Sequence, residues 1–313
     1  METIKVFSPA TIGNIGPGFD VLGLAIKGLG DMVEARKIPS GIVVKANGSK
    51  WEVPLNAREN TASIAAQHVL GILGEIGGIE ITLTKGLPIG SGLGSSAASA
   101  AAGAFAANYL YGNKLSKEQL ILPATKAEAQ VSGGFFADNT APALLGGATL
   151  TRSCEPLDVT KIGSIDELKL IVVIPELVVL TKDARAILPQ FVNLRNFVMN
   201  MANTALITAA FSKNDYGLFS RCLNDTIIEP VRSTLIRGYR TVRAKALEAG
   251  ADGMAISGSG PTLFAITNSP EKAKNIQKAM IEGFKENGVD AIAHITEVDG
   301  EGTRIVYQNS LNL

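Results

Sequence analysis

Residues 87–100 read LPIGSGLGSSAASA, and the residue types and spacing suit one kind of chemistry. Gly90, Gly92 and Gly94 tolerate backbone conformations that turn several N–H groups toward one side. Ser95 and Ser96 add hydroxyls where a helix begins, and a helix N-terminus favours negative charge. The alanines that follow let such a helix lie close to its neighbours. The segment is therefore a candidate phosphate cradle, with a plain loop–helix joint as the alternative. It follows no Walker A pattern, because no lysine falls inside it, and its third glycine comes too early for G-x-G-x-x-G.

The flanking text supplies the strand and helix that a cradle needs. GIEITLTKGLP alternates Ile79, Ile81 and Leu83 with polar residues, which predicts a half-buried strand leading into the loop. IKVFSPA, MVEARKI and GIVVKA also read as strands, and NTASIAAQHVLGILGEIG as a helix ended by glycine. Ser116 with Gln119 forms a capping box for a helix reaching about Val131, in which Pro123 marks a kink or a later start. ALLGGATLTRS is expected to return as strand, and SCEPLDVTKIGSIDE lacks periodicity.

Beyond it, LKLIVVIPE is an apolar strand followed by a helix over 194–211 and two more helical segments. GADGMAISGSGPTLFAIT reads as a hairpin about a glycine turn. Pro270 opens an amphipathic helix, and DAIAHITEV is expected as a final core strand. The pattern predicts an α+β protein of two domains, 1–158 and 159–313.

Composition narrows the class. Lys+Arg and Asp+Glu both number 29 in 313 residues, so the chain lacks the basic surplus that a nucleic-acid partner calls for. Cys154 and Cys222 share no metal-ligand spacing and read as reduced thiols. The start METIKVFSPA has no apolar signal segment, and no stretch is long enough to span a bilayer, so a cytoplasmic protein without membrane partners is expected.

The loop PIGSGLGSSAA resembles the phosphate loop of the GHMP kinases, P-x-x-x-G-L-G-S-S-A. Two further segments match that family's other signatures in order, SPATIGNIGPGFDVLGLAI near the start and ISGSGPTLFA near the end. The flanks EAQVSGGFFADNTAPALLGG, TKDARAILP and NDTIIEPVRSTLI are most similar to the family's homoserine kinase branch. The resemblance implies a ribosomal-protein-S5-domain-2-like N-terminal domain and a ferredoxin-like C-terminal domain. It also implies transfer of a phosphoryl group from ATP to the hydroxyl of L-homoserine in threonine biosynthesis.

Site residues follow by the same resemblance. Pro88, Ile89, Gly90, Ser91, Gly92, Leu93, Gly94, Ser95 and Ser96 form the ATP cradle, joined by Gly258 and Ser259 of the third signature. Asn60 is the expected adenine contact. Ser96 and Glu128 are the expected Mg²⁺ ligands, hard oxygens of the kind that ion takes. An amino-acid acceptor carries both charges, so Asp20 and Asp138 are assigned to its ammonium and hydroxyl end. Arg185 and Arg232 are assigned to its carboxylate, with Asn14, Asn139 and Thr181 as orienting groups. Asn139 and Arg185 are expected at the reacting centre. No dedicated base is expected, because a loose phosphoryl-transfer transition state needs positioning and charge neutralisation more than proton removal.

The chain departs from the branch at three places: Phe136 replaces a histidine, Ile12-Gly13 replaces Ser-Ala, and Arg237 replaces a proline. These leave another small alcohol open as acceptor, such as a shikimate-, mevalonate- or hydroxy-acid-like one. A non-catalytic regulator of the same fold would have lost the cradle or Glu128. A homodimer is common among relatives.

Overall fold

The computed structural model describes residues 3–48, 51 and 53–306. The elements run β1 (Thr3–Gly13), β2 (Leu22–Ile38), β3 (Ile42–Ala46), α1 (Thr61–Leu73), β4 (Gly78–Thr84), α2 (Ser95–Leu110), α3 (Lys117–Ser132) and α4 (Thr140–Leu145). Then follow β5 (Ala148–Cys154), β6 (Leu157–Gly163), β7 (Lys169–Pro175), α5 (Thr181–Ala186), α6 (Leu194–Lys213), α7 (Tyr216–Cys222) and α8 (Glu229–Arg232). The chain closes with α9 (Tyr239–Glu248), β8 (Gly253–Ile256), β9 (Leu263–Thr267), α10 (Pro270–Lys285), β10 (Ala291–Thr296) and β11 (Arg304–Ile305).

Two sheets result. The first is ordered β11-β1-β2-β4-β3, with β5 and β6 attached through the other end of β2. Strand β2 serves two partners because it is long: residues 22–24 pair with β5 and residues 32–38 with β4. The second sheet is ordered β10-β7-β9-β8, and all its neighbours are antiparallel. With α9 and α10 on one face this is the split β-α-β expected for the C-terminal half.

Three expectations about elements are corrected. Ala143–Leu145 are helical, in α4, and the strand begins only at Ala148. The segment SCEPLDVTKIGSIDE, which lacks periodicity in the sequence, contains β6, which pairs with β5 in the first sheet. The strand of DAIAHITEV is an edge of its sheet and half exposed rather than a core strand, and β11 returns beyond it to pair with β1. Pro123 leaves the helix start in place, because the Ser116–Gln119 capping box is formed in full.

Helix α2 lies in the middle of the first half. Nearly all its residues are buried, and its alanines meet α1 on one side and the sheet on the other. A Cβ on Gly103 would stand 2.1 Å from the Ala62 carbonyl, so the two helices approach with no room for a side chain. A second core joins the halves: Ile12, Leu22, Leu24 and Leu93 pack with Val172, Phe211, Phe219 and Phe264. The loops at the mouth of that joint carry the site.

Candidate active site

The cradle forms as the glycine spacing requires. Gly90, Gly92 and Gly94 all take positive φ, between 63° and 86°, and Gly94 caps α2 without any side-chain hydrogen bond to its first N–H groups. A helix start left without a side-chain cap is suited to an anion. Gly92 is also where the third signature docks. A Cβ there would lie 2.4 Å from the Ser257 carbonyl, whose Oγ donates to the Gly92 carbonyl at 2.7 Å. The Thr262 N–H donates to the Ser91 carbonyl, and the Gly258 N–H to that of Gly13. The three sequence signatures thus meet along one seam.

A cleft of about 560 Å³ opens beside that seam. Its wall includes the cradle residues Ile89, Gly90, Ser91, Gly92, Gly94, Ser95 and Ser96, together with Asn60, Gly258 and Ser259. Two cradle candidates stand apart: Leu93 is fully buried in the joint core, and Pro88 accepts the Ser91 hydroxyl behind the loop. Neither lines the cleft. Asn60 is the N-cap of α1, its Oδ1 receiving the Ala62 and Ser63 N–H groups and its Nδ2 donating to Pro54. At the floor, Ser96 Oγ donates to Glu128 Oε1 at 3.1 Å. The two hard-oxygen groups assigned to Mg²⁺ are therefore neighbours, across two helices, beside the cradle.

The opposite end of the cleft is built from the loop after β1, the α3–α4 connection, α5 and α8. Asn14 and Asp20 both hold positive φ, a strained state that clusters at functional sites. Asn14 fixes that loop, accepting the Asp20 N–H at 2.9 Å and donating to the Gly258 carbonyl at 2.8 Å. Asp138 and Asn139 approach β1 so closely that a Cβ on Gly13 would stand 2.6 Å from Asp138 Oδ2, which accounts for glycine in place of the branch's alanine. Asn139 Oδ1 accepts the Thr11 hydroxyl. Thr181 and Arg185 lie one turn apart on α5, with Thr181 3.5 Å from Ser259 across the cleft.

The two residues assigned to opposite charges of the acceptor are joined to each other. Arg185 forks onto Asp20, with NH1 and NH2 each donating to one carboxylate oxygen at 3.1 and 2.7 Å. Arg232 is buried, donating to the carbonyls of Ala184 and Gly258. Burial and the nearby Asp20 carboxylate push the Asp138 carboxyl up to about 7. Burial and Asp138 do the same for Glu128, also to about 7.

Several members of the site escape sequence reasoning. Lys85, at the end of β4, is buried beneath the cradle and lines the cleft. Its ammonium donates to Asp31 Oδ2, the Ser95 carbonyl and Ser99 Oγ at 2.5, 2.5 and 2.7 Å. A lysine at a strand end ordinarily reads as a solvent group, and Asp31 is 54 residues away, so no local pattern links them. Phe19, which flanks the arginines, is likewise an ordinary apolar residue in sequence, whereas Phe136 stands out there only by replacing a histidine.

Comparison with known proteins places this geometry. A model of the GHMP kinases N terminal domain matches residues 60–147, and one of the GHMP kinases C terminal region matches residues 207–286. A homoserine kinase of Arabidopsis thaliana is 42% identical, over 97% of this chain and 85% of that one. The chain belongs to the GHMP kinase family. A homoserine kinase of Methanocella arvoryzae is 40% identical over 99% of both chains. The crystal structure of a homoserine kinase from Cytophaga hutchinsonii superposes with a TM-score of 0.92 at 41% identity, covering 98% of each chain. GHMP kinases use ATP as phosphate donor, which suits a cradle at a helix start. Among the described residues no helix is long and apolar enough to cross a membrane.

Proposed function

We propose that this GHMP kinase transfers the γ-phosphoryl group of ATP to the side-chain hydroxyl of L-homoserine, forming O-phospho-L-homoserine for threonine biosynthesis. The observation that carries the reading is one cleft with an anion cradle at one end and paired carboxylates and arginines at the other. That second end suits a zwitterion, and the likeness to homoserine kinases over nearly the full length names the zwitterion.

In this reading the N–H groups of the cradle and the start of α2 hold the phosphates. Ser96 and Glu128 fit a Mg²⁺ ion, which when bound neutralises charge on the phosphates. Asp138 and Asp20 meet the acceptor ammonium, and the arginines meet its carboxylate. Asn139, tied to Thr11, orients the hydroxyl. The acceptor oxygen forms its bond to phosphorus as the bond to the ADP oxygen breaks, and the hydroxyl proton passes to a γ-phosphate oxygen or to water. No side chain is assigned as base, because positioning and charge neutralisation lower the barrier of a loose transition state. The same reading fits a cytoplasmic enzyme, and a homodimer, common among relatives, is open to it.

A panel of acceptors with Mg-ATP, followed by ADP release, tests this. Homoserine is expected to be turned over fastest, with shikimate and mevalonate near background. Turnover of either in preference to homoserine would replace the assignment.

A further inference from the structure

The acceptor end of the cleft has an aromatic component that the charged residues do not explain. The Arg185 guanidinium lies 4.1 Å from the centroid of Phe136 and 5.5 Å from that of Phe19. Phe19 also sits 4.9 Å from the guanidinium of Arg232. Asp20 holds Arg185 by the edge of its guanidinium through two parallel hydrogen bonds, which leaves the flat faces of the guanidinium free to pack. A ring face at stacking distance supports one of those faces, and a cation over a ring is attracted to it.

The position matters because Phe136 stands where the resembled branch has histidine. Phenylalanine neither titrates nor hydrogen-bonds. It also lines the cleft, in the connection between α3 and α4, two residues before Asp138. Two guanidinium groups converge here, and burial first, then the nearby Arg185, disfavours the cationic form of Arg232. An aromatic face near both lowers the cost of holding them side by side.

We infer that Phe136 is a positioning residue for the acceptor: its ring, with Phe19, clamps Arg185 in the orientation that receives the acceptor carboxylate. The clamp replaces a titratable histidine with a pH-independent contact. This rests on the reading above, in which the arginine end of the cleft holds the acceptor.

Steady-state kinetics of Phe136→Leu, Phe136→Trp and Phe136→His test it, alongside the NMR shift of the Arg185 Nε–H in the ligand-free full chain. Leucine keeps apolar bulk but has no ring face. It is expected to raise the acceptor KM about 5- to 10-fold while kcat and the ATP KM stay within about twofold. Tryptophan is expected to keep the acceptor KM within about twofold of the natural chain. Histidine is expected to make the acceptor KM rise more steeply than in the natural chain as pH falls through the imidazole range, because a protonated ring would repel Arg185 in addition to the protonation of Asp138. The Arg185 Nε–H resonance is expected to carry a ring-current shift that leucine removes.

An acceptor KM unchanged by leucine, or an equal rise in the ATP KM, would overturn the clamp. So would an Arg185 resonance indifferent to the substitution. Because that resonance is read without any acceptor, a failure of homoserine turnover in the natural chain is distinguishable from a failure of the clamp. Where leucine does not fold, the histidine and tryptophan variants decide.

Discussion

The carboxylates at the site are set by their surroundings rather than by their type. Glu128 and Asp138 are both pushed up to about 7, well above the values of free side chains, because each is buried and each has a like charge nearby, Asp138 beside Glu128 and Asp20 beside Asp138. A carboxylate whose folded pKa is raised binds protons between pH 4 and 7 that the unfolded chain has released. Stability of the ligand-free protein therefore declines as pH rises through that window, and the loss is complete above about pH 8. Glu128→Gln removes one of the two charges. The variant is expected to melt about 2 °C higher than the natural chain at pH 8 and at the same temperature at pH 5, by thermal scans without nucleotide. Turnover by Glu128→Gln is expected to fall on the order of 100-fold at pH 8, since a group aimed at transition-state charge is lost. Activity of the natural chain is expected to rise from pH 6 to pH 8 as the carboxylates ionise. Wild-type turnover at saturating Mg²⁺ would take Glu128 out of the metal site.

At the scale of elements, the cradle is held from below. Lys85 ties the end of β4 to Asp31 on β2 and to the Ser95 carbonyl in the first turn of α2. Asp31 also accepts from Ser99 Oγ and from the Gly86 N–H, so one buried pair joins two strands to the helix. Burial lowers the tendency of Lys85 to carry its charge, and Asp31 opposes that. Removing one partner of such a pair strands the other in the core. Lys85→Met is expected to cost about 3–5 kcal/mol in urea unfolding and to raise the ATP KM, because the first turn of α2 loses its anchor. A double variant with Asp31→Leu is expected to recover much of the stability while leaving the ATP KM raised.

For the whole molecule, the decisive feature is the core shared by the two sheets. Phe211 on α6 meets Phe219 with ring centroids 5.1 Å apart, in the same cluster as Ile12 and Leu24 of the first sheet. Phe211→Ala is expected to cost about 3–5 kcal/mol and to lower the melting temperature measured by calorimetry. Because the cleft spans both halves, acceptor and nucleotide KM are expected to rise together.

The local motifs are legible in the residues: the spacing of Gly90, Gly92 and Gly94 matches the positive-φ turns and uncapped helix start that follow, and the Ser116–Gln119 capping box forms as the spacing predicts. The order of the three signatures likewise carries the family resemblance within the sequence itself. Local rules failed where long-range pairing decides, as in β6, which completes a sheet begun by β2, and in β10, whose apolar pattern became an edge. Tertiary structure alone joined Lys85 to Asp31, locked Asp20 onto Arg185, and laid Phe136 against that arginine. Spacing within a helix or loop is written into consecutive residues, whereas these contacts depend on how distant segments pack and on the low dielectric that packing creates.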